Sequence, residues 1–287
     1  MHIAALGSSF AAGPSIPPQQ TSTPAAAAAR RSAANYASLL TASLPGAKLT
    51  DLSASGATLL NVLSDPQETL LATLPPQLEG LPADVDVVTL TAGGNDLGYS
   101  AGMIGDAATG TVRDEGVLGV VLGGMGLGRG DGDGDGSGDG EDGIVGVSKD
   151  EVASRFVRVI DAIKTRAPQA RIFLVEYLAV FGPATGCADD QPLNEVRVEV
   201  YRALARDLKD AYGLAAERRR GVGVEVVGVA DLSEREHALG SAEPWVTGFT
   251  VEGLMGGGAP FHPNAEGHRG VARVLEERVR SVMGLQV

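Results

Sequence analysis

Five short apolar runs, separated by segments of helical periodicity, constrain the fold more than any other feature of the chain. Apolar runs bounded by turn signals indicate buried strands, and strands that alternate with helices indicate a parallel sheet. The predicted strands are residues 2–6, 47–52, 84–91, 171–177 and 222–229. Helices are predicted in the second half of 25–44 and at 68–78, 151–166, 193–220 and 264–282, the second of them interrupted by Pro75-Pro76. We therefore expect a five-stranded parallel sheet between two layers of helices.

Length and composition favour one large domain that spans residues 1–287. Of these residues 44% are hydrophobic and only 4% aromatic, which suits a core of small and aliphatic side chains. The formal net charge of −13 argues against a nucleic-acid partner and an anionic membrane surface, because both attract clustered positive charge. A neutral or apolar small-molecule substrate fits this charge better.

Cys187 is the only cysteine, so no intramolecular disulfide can form. The first predicted strand begins at residue 2 without the basic and apolar regions of a secretory signal, and no apolar run approaches the ~18 residues of a membrane span. These features favour a cytoplasmic protein; a secreted one stays possible if the sequence begins at a mature residue. A monomer is expected.

A Gly- and Asp-rich insertion, at about residues 100–149, interrupts the alternating pattern. Its centre, residues 131–142, is acidic and too poor in apolar side chains to offset the entropy of ordering, so we expect a flexible loop. The acidic spacing imitates a calcium-binding loop, but flanking amphipathic helices and a final glutamate are missing. We expect neither a metal nor another cofactor.

A candidate nucleophile follows the first predicted strand. Residues 6–13 read Leu-Gly-Ser-Ser-Phe-Ala-Ala-Gly, so Ser9 lies in a tight turn at the carboxyl end of a strand, where ligands of open α/β sheets bind. A turn-capping serine is the alternative interpretation. His262, in a loop before the last predicted helix, is the candidate base, because a histidine is neutral at physiological pH; His268 is the weaker alternative.

Two further turns supply candidate donors to an oxyanion. The backbone N–H groups of Ser9 and Gly56 and the side-chain amide of Asn95 are the expected oxyanion hole, since a glycine lets the backbone approach a ligand and an amide adds no negative charge. Asp96 is expected to support the Asn95 turn.

These residues resemble the four motif blocks of the SGNH hydrolases, also called GDSL-type esterases and lipases. The matching positions are Gly7-Ser8-Ser9-Phe10, Gly56, Gly93-Gly94-Asn95-Asp96 and His262-Pro263. The likeness is greatest to the small single-domain esterases of actinomycete type. It implies a flavodoxin-like three-layer α/β/α sandwich and hydrolysis of carboxylic esters through an acyl-enzyme, with Ser9 as nucleophile and His262 as base.

The chain departs from the family pattern at two positions. Ser8 stands where the motif has an aspartate, and Ala259 stands three residues before the histidine, where the family has its acid. The Ala259 carbonyl is the expected partner that orients the imidazole; Glu243, Glu252 and Asp231 are alternative acids. A serine–histidine dyad should be slower than a triad, because no carboxylate stabilises the imidazolium. The alternative functions are a catalytically impaired binding protein and an O-deacetylase of acetylated carbohydrate.

Overall fold

The sheet is formed by five strands that pair in parallel. The structure, a computed structural model, describes residues 1–111, 146–186 and 191–285. The sheet strands are β1 (His2–Gly7), β2 (Lys48–Asp51), β5 (Val87–Thr91), β6 (Arg171–Val175) and β7 (Val224–Val227). Their order, β2-β1-β5-β6-β7, is the flavodoxin-like order, in which the first two strands along the chain exchange places.

Helices cover both faces of the sheet. They are α1 (Ser9–Ala12), α2 (Pro24–Ala29), α3 (Tyr36–Ser43), α4 (Leu59–Leu63), α5 (Tyr99–Thr111), α6 (Lys149–Arg166), α7 (Glu195–Arg218), α8 (Ala230–Glu236), α9 (Val251–Met255) and α10 (Ala265–Met283). Helices α3 and α10 pack together, as do α6 and α7, and their apolar sides bury the strands between them. The predicted α/β fold with a five-stranded parallel sheet is confirmed.

The strand register brings the predicted site turns to one edge of the sheet. Gly7, the last residue of β1, pairs with Thr91, the last residue of β5. The turn after β2 lies against the same edge, because the Ala54 N–H donates to the Gly7 carbonyl at 2.9 Å. The segments that hold Ser9, Gly56 and Asn95 therefore leave neighbouring strands at a common edge.

Two predictions of local structure are wrong. The helix predicted at 68–78 is a short hairpin of β3 (Gln67–Glu68) and β4 (Thr73–Leu74), followed by a 3₁₀ turn at Gln77–Gly80. The Thr69 hydroxyl caps this hairpin by accepting from the Ala72 N–H at 3.0 Å, and Pro75-Pro76 prevents the chain from continuing as a helix.

The first residues of the predicted insertion are helical rather than a loop. They form α5, which packs against α7 and buries Met103 and Ala107. The acidic centre at 131–142, with its calcium-like spacing, and Cys187 lie outside the described residues. Within the described ranges, no helix has both the length and the apolar composition of a membrane crossing. The same ranges contain no cluster of three or more His, Cys, Asp or Glu side chains suited to a metal ion.

Candidate active site

Ser9 is held at the end of β1 by a glycine that no other residue can replace without distortion. Gly7 has a φ of +134°, and a Cβ there would lie 2.1 Å from the Thr91 carbonyl oxygen. The Ser8 N–H then donates to that same oxygen at 2.8 Å, and Ser9 begins α1. The hydroxyl of Ser9 therefore has a fixed position relative to two central strands.

The loop before α10 carries His262 to Ser9. The Thr247 N–H donates to the His262 carbonyl at 2.9 Å, and the Asn264 side chain caps α10 immediately afterwards. The Nε2 atom of His262 lies 2.8 Å from the Ser9 Oγ, across 253 residues of sequence. The predicted nucleophile and base are therefore in hydrogen-bond contact.

The carbonyl that orients His262 belongs to Pro260, and the prediction of Ala259 is wrong by one residue. The Nδ1 of His262 lies 2.8 Å from the Pro260 oxygen. Phe261, between them, has a φ of +58°, so the chain turns back and the carbonyl faces the ring two residues on. Because a carbonyl only accepts, Nδ1 carries the proton of the neutral ring and Nε2 accepts from the Ser9 hydroxyl.

His262 is buried and uncharged. Burial, with the positive charge of Arg30 as a smaller cause, lowers the pKa of His262 to about 4, although the bond to the Pro260 carbonyl opposes the shift. Glu243, Glu252 and Asp231 make no hydrogen bond or ion pair with the ring in the described part of the chain. The ring is therefore a neutral proton acceptor at physiological pH, and it has no carboxylate partner among the described residues.

Gly56 and Asn95 lie in turns that are tied to each other. The Asn95 Nδ2 donates to the Ala57 carbonyl at 2.9 Å, which uses one of its two N–H groups. Gly56 is exposed and has a φ of +85°; within the described residues neither its N–H nor that of Ser9 donates a hydrogen bond. Three N–H donors are therefore free for a ligand at this edge.

Asp96 supports the Asn95 turn. One carboxylate oxygen accepts from the Leu59 N–H at the start of α4, and the other from Arg155 of α6, each at 2.9 Å. Burial is the main cause that raises the pKa of Asp96, and both bonds oppose it. The Asp96 carboxylate thus connects α4 and α6 to the Asn95 turn.

Two supporting groups have no signal in the sequence. The buried Gln77 side chain brackets Gly7, accepting from its N–H at 2.8 Å and donating to its carbonyl at 2.9 Å. Tyr177 bonds the Ser8 hydroxyl through its own hydroxyl at 2.5 Å and stacks on Phe10, with ring centroids 4.0 Å apart. Each contact joins segments at least 70 residues apart, so no local pattern reveals it.

The other histidines have different surroundings. His268 is fully buried in α10 and its Nδ1 accepts from the Tyr36 N–H at 3.0 Å. His2 bonds Asp84 and Thr50 at the start of β1, and His237 stacks on Trp245. None of these rings contacts Ser9 in the described residues.

Sequence comparison decides the family. A sequence model of the GDSL-like lipase/acylhydrolase family matches residues 5–269. The chain belongs to this family. The GDSL-type chain is also 32% identical over 291 residues to Lipase 2 of Streptomyces coelicolor, a match that covers 98% of this chain and 85% of the relative. It is therefore an SGNH/GDSL-type ester hydrolase.

Solved structures show the same fold. The extracellular lipase of Streptomyces rimosus superposes with a TM-score of 0.65 at 22% identity, over 96% of this chain and 99% of the lipase. Phospholipase A1 of Streptomyces albidoflavus gives a TM-score of 0.67 at 19% identity, over 96% and 98% of the two chains. These likenesses establish the GDSL-type α/β fold of this chain.

Proposed function

We propose that the protein hydrolyses carboxylic esters of small molecules through an acyl-enzyme on Ser9. The observation that carries this proposal is the chain of contacts from the Pro260 carbonyl through the His262 ring to the Ser9 hydroxyl, each 2.8 Å long. A serine hydroxyl is a weak nucleophile until an adjacent base accepts its proton. The neutral, oriented imidazole of His262 supplies that base.

In the first half of the reaction, Ser9 Oγ attacks the ester carbonyl carbon while its proton passes to His262 Nε2. The carbonyl oxygen becomes an oxyanion that accepts hydrogen bonds from the N–H groups of Ser9 and Gly56 and the second N–H of Asn95 Nδ2. The carbon–oxygen bond to the alcohol then breaks, and the alcohol leaves with the proton from His262.

In the second half, water attacks the acyl carbon and gives its proton to His262 Nε2. The bond to Ser9 Oγ breaks, the proton returns to the serine, and the carboxylic acid is released. His262 is positively charged in both transition states with only the Pro260 carbonyl at Nδ1, so the rate should be lower than that of a triad. No metal or organic cofactor is required by any of these steps.

The names of two similar proteins support esters of fatty acids as the substrate class. Streptomyces coelicolor Lipase 2 and the S. rimosus extracellular lipase are both named as lipases. A binding protein without catalysis is the less favoured alternative, because Ser9 and His262 keep a contact that binding alone does not require.

Turnover of p-nitrophenyl acetate, butyrate and a long-chain ester tests the proposal. Ser9→Ala and His262→Ala should each lower kcat by at least about 1,000-fold, because the nucleophile and its base act together and neither is effective alone. Ser8→Ala is the matched control: this neighbouring serine bonds Tyr177 rather than His262, so its turnover should stay within about tenfold of wild type. Undiminished turnover by a folded Ser9→Ala variant would refute the assignment.

A further inference from the structure

Arg30 occupies a place at which three turns of the candidate site meet. The carbonyl of the preceding residue, Ala29, accepts from the Ser55 N–H at 2.9 Å, next to Gly56. The Arg30 Nη2 donates to the Gly257 carbonyl at 2.9 Å in the loop that leads to His262. It also donates to the Ser15 hydroxyl at 3.2 Å in the segment that follows Ser9 and α1. The guanidinium therefore joins the segment after Ser9 to the loop before His262, and the backbone next to Arg30 contacts the turn of Gly56.

This cation is only partly hydrated and lacks a counter-ion. Burial lowers the pKa of Arg30, and no carboxylate lies within ion-pair distance of it in the described residues. In those residues its Nε–H and its two Nη1 N–H groups make no hydrogen bond. A partly buried charge without a counter-ion favours an anionic ligand, and each free N–H group can donate to an oxygen of a carboxylate or a phosphate.

The backbone at this position is also strained. Arg30 caps α2 with a φ of +51°, in the left-handed region that favours glycine. The other described non-glycine residues with positive φ are Ser15, its hydrogen-bond partner, and Phe261, next to His262. Strained residues of this kind persist where the surrounding structure over-determines them and are concentrated at functional sites.

We propose that Arg30 binds an anionic group of the substrate, a phosphate or a carboxylate, beside the ester that Ser9 attacks. This inference rests on the proposed function and narrows its substrate class. The net charge of −13 favours a neutral or apolar substrate, but this charge acts over the whole surface. Arg30 acts through direct contact within the site.

Two matched pairs of esters test this role. One pair, 1-hexanoylglycerol and its 3-phosphate, differs by an anion on the alcohol side; the other, ethyl octanoate and ethyl hydrogen suberate, differs on the acyl side. Arg30→Gln should lower kcat/KM for the anionic member of one pair by about 10- to 100-fold, mainly through KM, and leave the neutral member within about threefold. The pair that responds identifies the side on which the anion lies.

Two further variants separate binding from a structural role. Arg30→Lys should recover part of the preference, because it restores the charge without the planar set of N–H donors. Arg269→Gln, an exposed arginine of α10 that pairs with Glu266, should change neither ester. An equal loss on both members of each pair would show that Arg30 only fastens the loops, and would overturn the inference. Failure of the wild type to hydrolyse any ester would instead contradict the proposed function itself.

Discussion

At the scale of single residues, a backbone carbonyl and burial keep His262 oriented and neutral in the absence of the family's acid. His262 is 7% exposed and its Nδ1 is fixed by a carbonyl, so the correct nitrogen faces Ser9 without a carboxylate. The same surroundings lower the pKa of His262 to about 4. The arrangement secures the neutral base and leaves the imidazolium poorly stabilised.

The low pKa of His262 predicts that the enzyme keeps its activity to an unusually low pH. Activity requires the neutral ring, so kcat/KM on p-nitrophenyl butyrate should fall only as the pH decreases towards about 4, and should be level from pH 6 to 8. Arg30→Gln removes the smaller cause of the shift, so its midpoint should move upwards and stay below 6.5 because burial remains. A wild-type midpoint at 6.5, with circular dichroism showing a folded protein throughout, would contradict this prediction.

Asn95 should act on the transition state more than on substrate binding. Asn95→Ala removes one oxyanion donor and should lower kcat by roughly 10²- to 10³-fold, with a smaller change in KM. Steady-state kinetics on a neutral ester measures both parameters. A change confined to KM would place the amide outside the oxyanion hole.

At the scale of secondary-structure elements, the 3₁₀ turn that follows the β3–β4 hairpin holds the end of β1. Gln77 satisfies both backbone groups of Gly7, directly before the serine turn. Gln77→Ala leaves a buried N–H without a partner and should lower the free energy of unfolding by about 1–3 kcal/mol, with a fall in kcat. Urea denaturation measures the first effect.

A glutamine outside this contact gives the control. Gln20 makes no side-chain hydrogen bond in the described residues, so Gln20→Ala should change stability by less than about 0.5 kcal/mol. Equal stability of the two variants would show that Gln77 contributes nothing to the serine turn.

The sequence predicted the elements whose patterns are local, and it missed those that depend on distant contacts. The five strands follow from their apolar runs, and α10 follows from its periodicity and the Asn264 cap. Residues 68–78 have helical composition, but Thr69 and Pro75-Pro76 make the hairpin the better structure. The Pro260 carbonyl replaces that of Ala259 because the φ of Phe261, packed against Phe181 and Phe249, is set by tertiary contacts.

At the scale of the whole molecule, two buried neutral histidines link folding to pH. Burial lowers the pKa of His268 to about 3 and that of His262 to about 4, below the ordinary value of 6.5. Between its native pKa and 6.5, each histidine binds a proton in the unfolded chain and not in the native protein. The contribution of the two histidines to stability is therefore complete above pH 6.5 and is lost as the pH falls. The raised pKa values of buried Asp96 and Glu176 act in the opposite direction.

A comparison of variants isolates the histidine contribution. His268→Asn keeps an acceptor for the Tyr36 N–H and removes one titrating group. The difference in unfolding free energy between wild type and this variant should shrink as the pH falls from 7 to 4, at up to about 1.4 kcal/mol per pH unit. Denaturant unfolding at several pH values measures it, and a difference independent of pH would show that folding does not lower the pKa of His268.

The most direct test of the Ser9–His262 mechanism is the site and rate of covalent labelling by a fluorophosphonate, read by peptide mass spectrometry. We predict one adduct per chain, on Ser9, forming at least about 100-fold more slowly in a His262→Gln variant that has lost the base. Labelling at another residue, or ester turnover that continues while Ser9 stays unmodified, would contradict the mechanism.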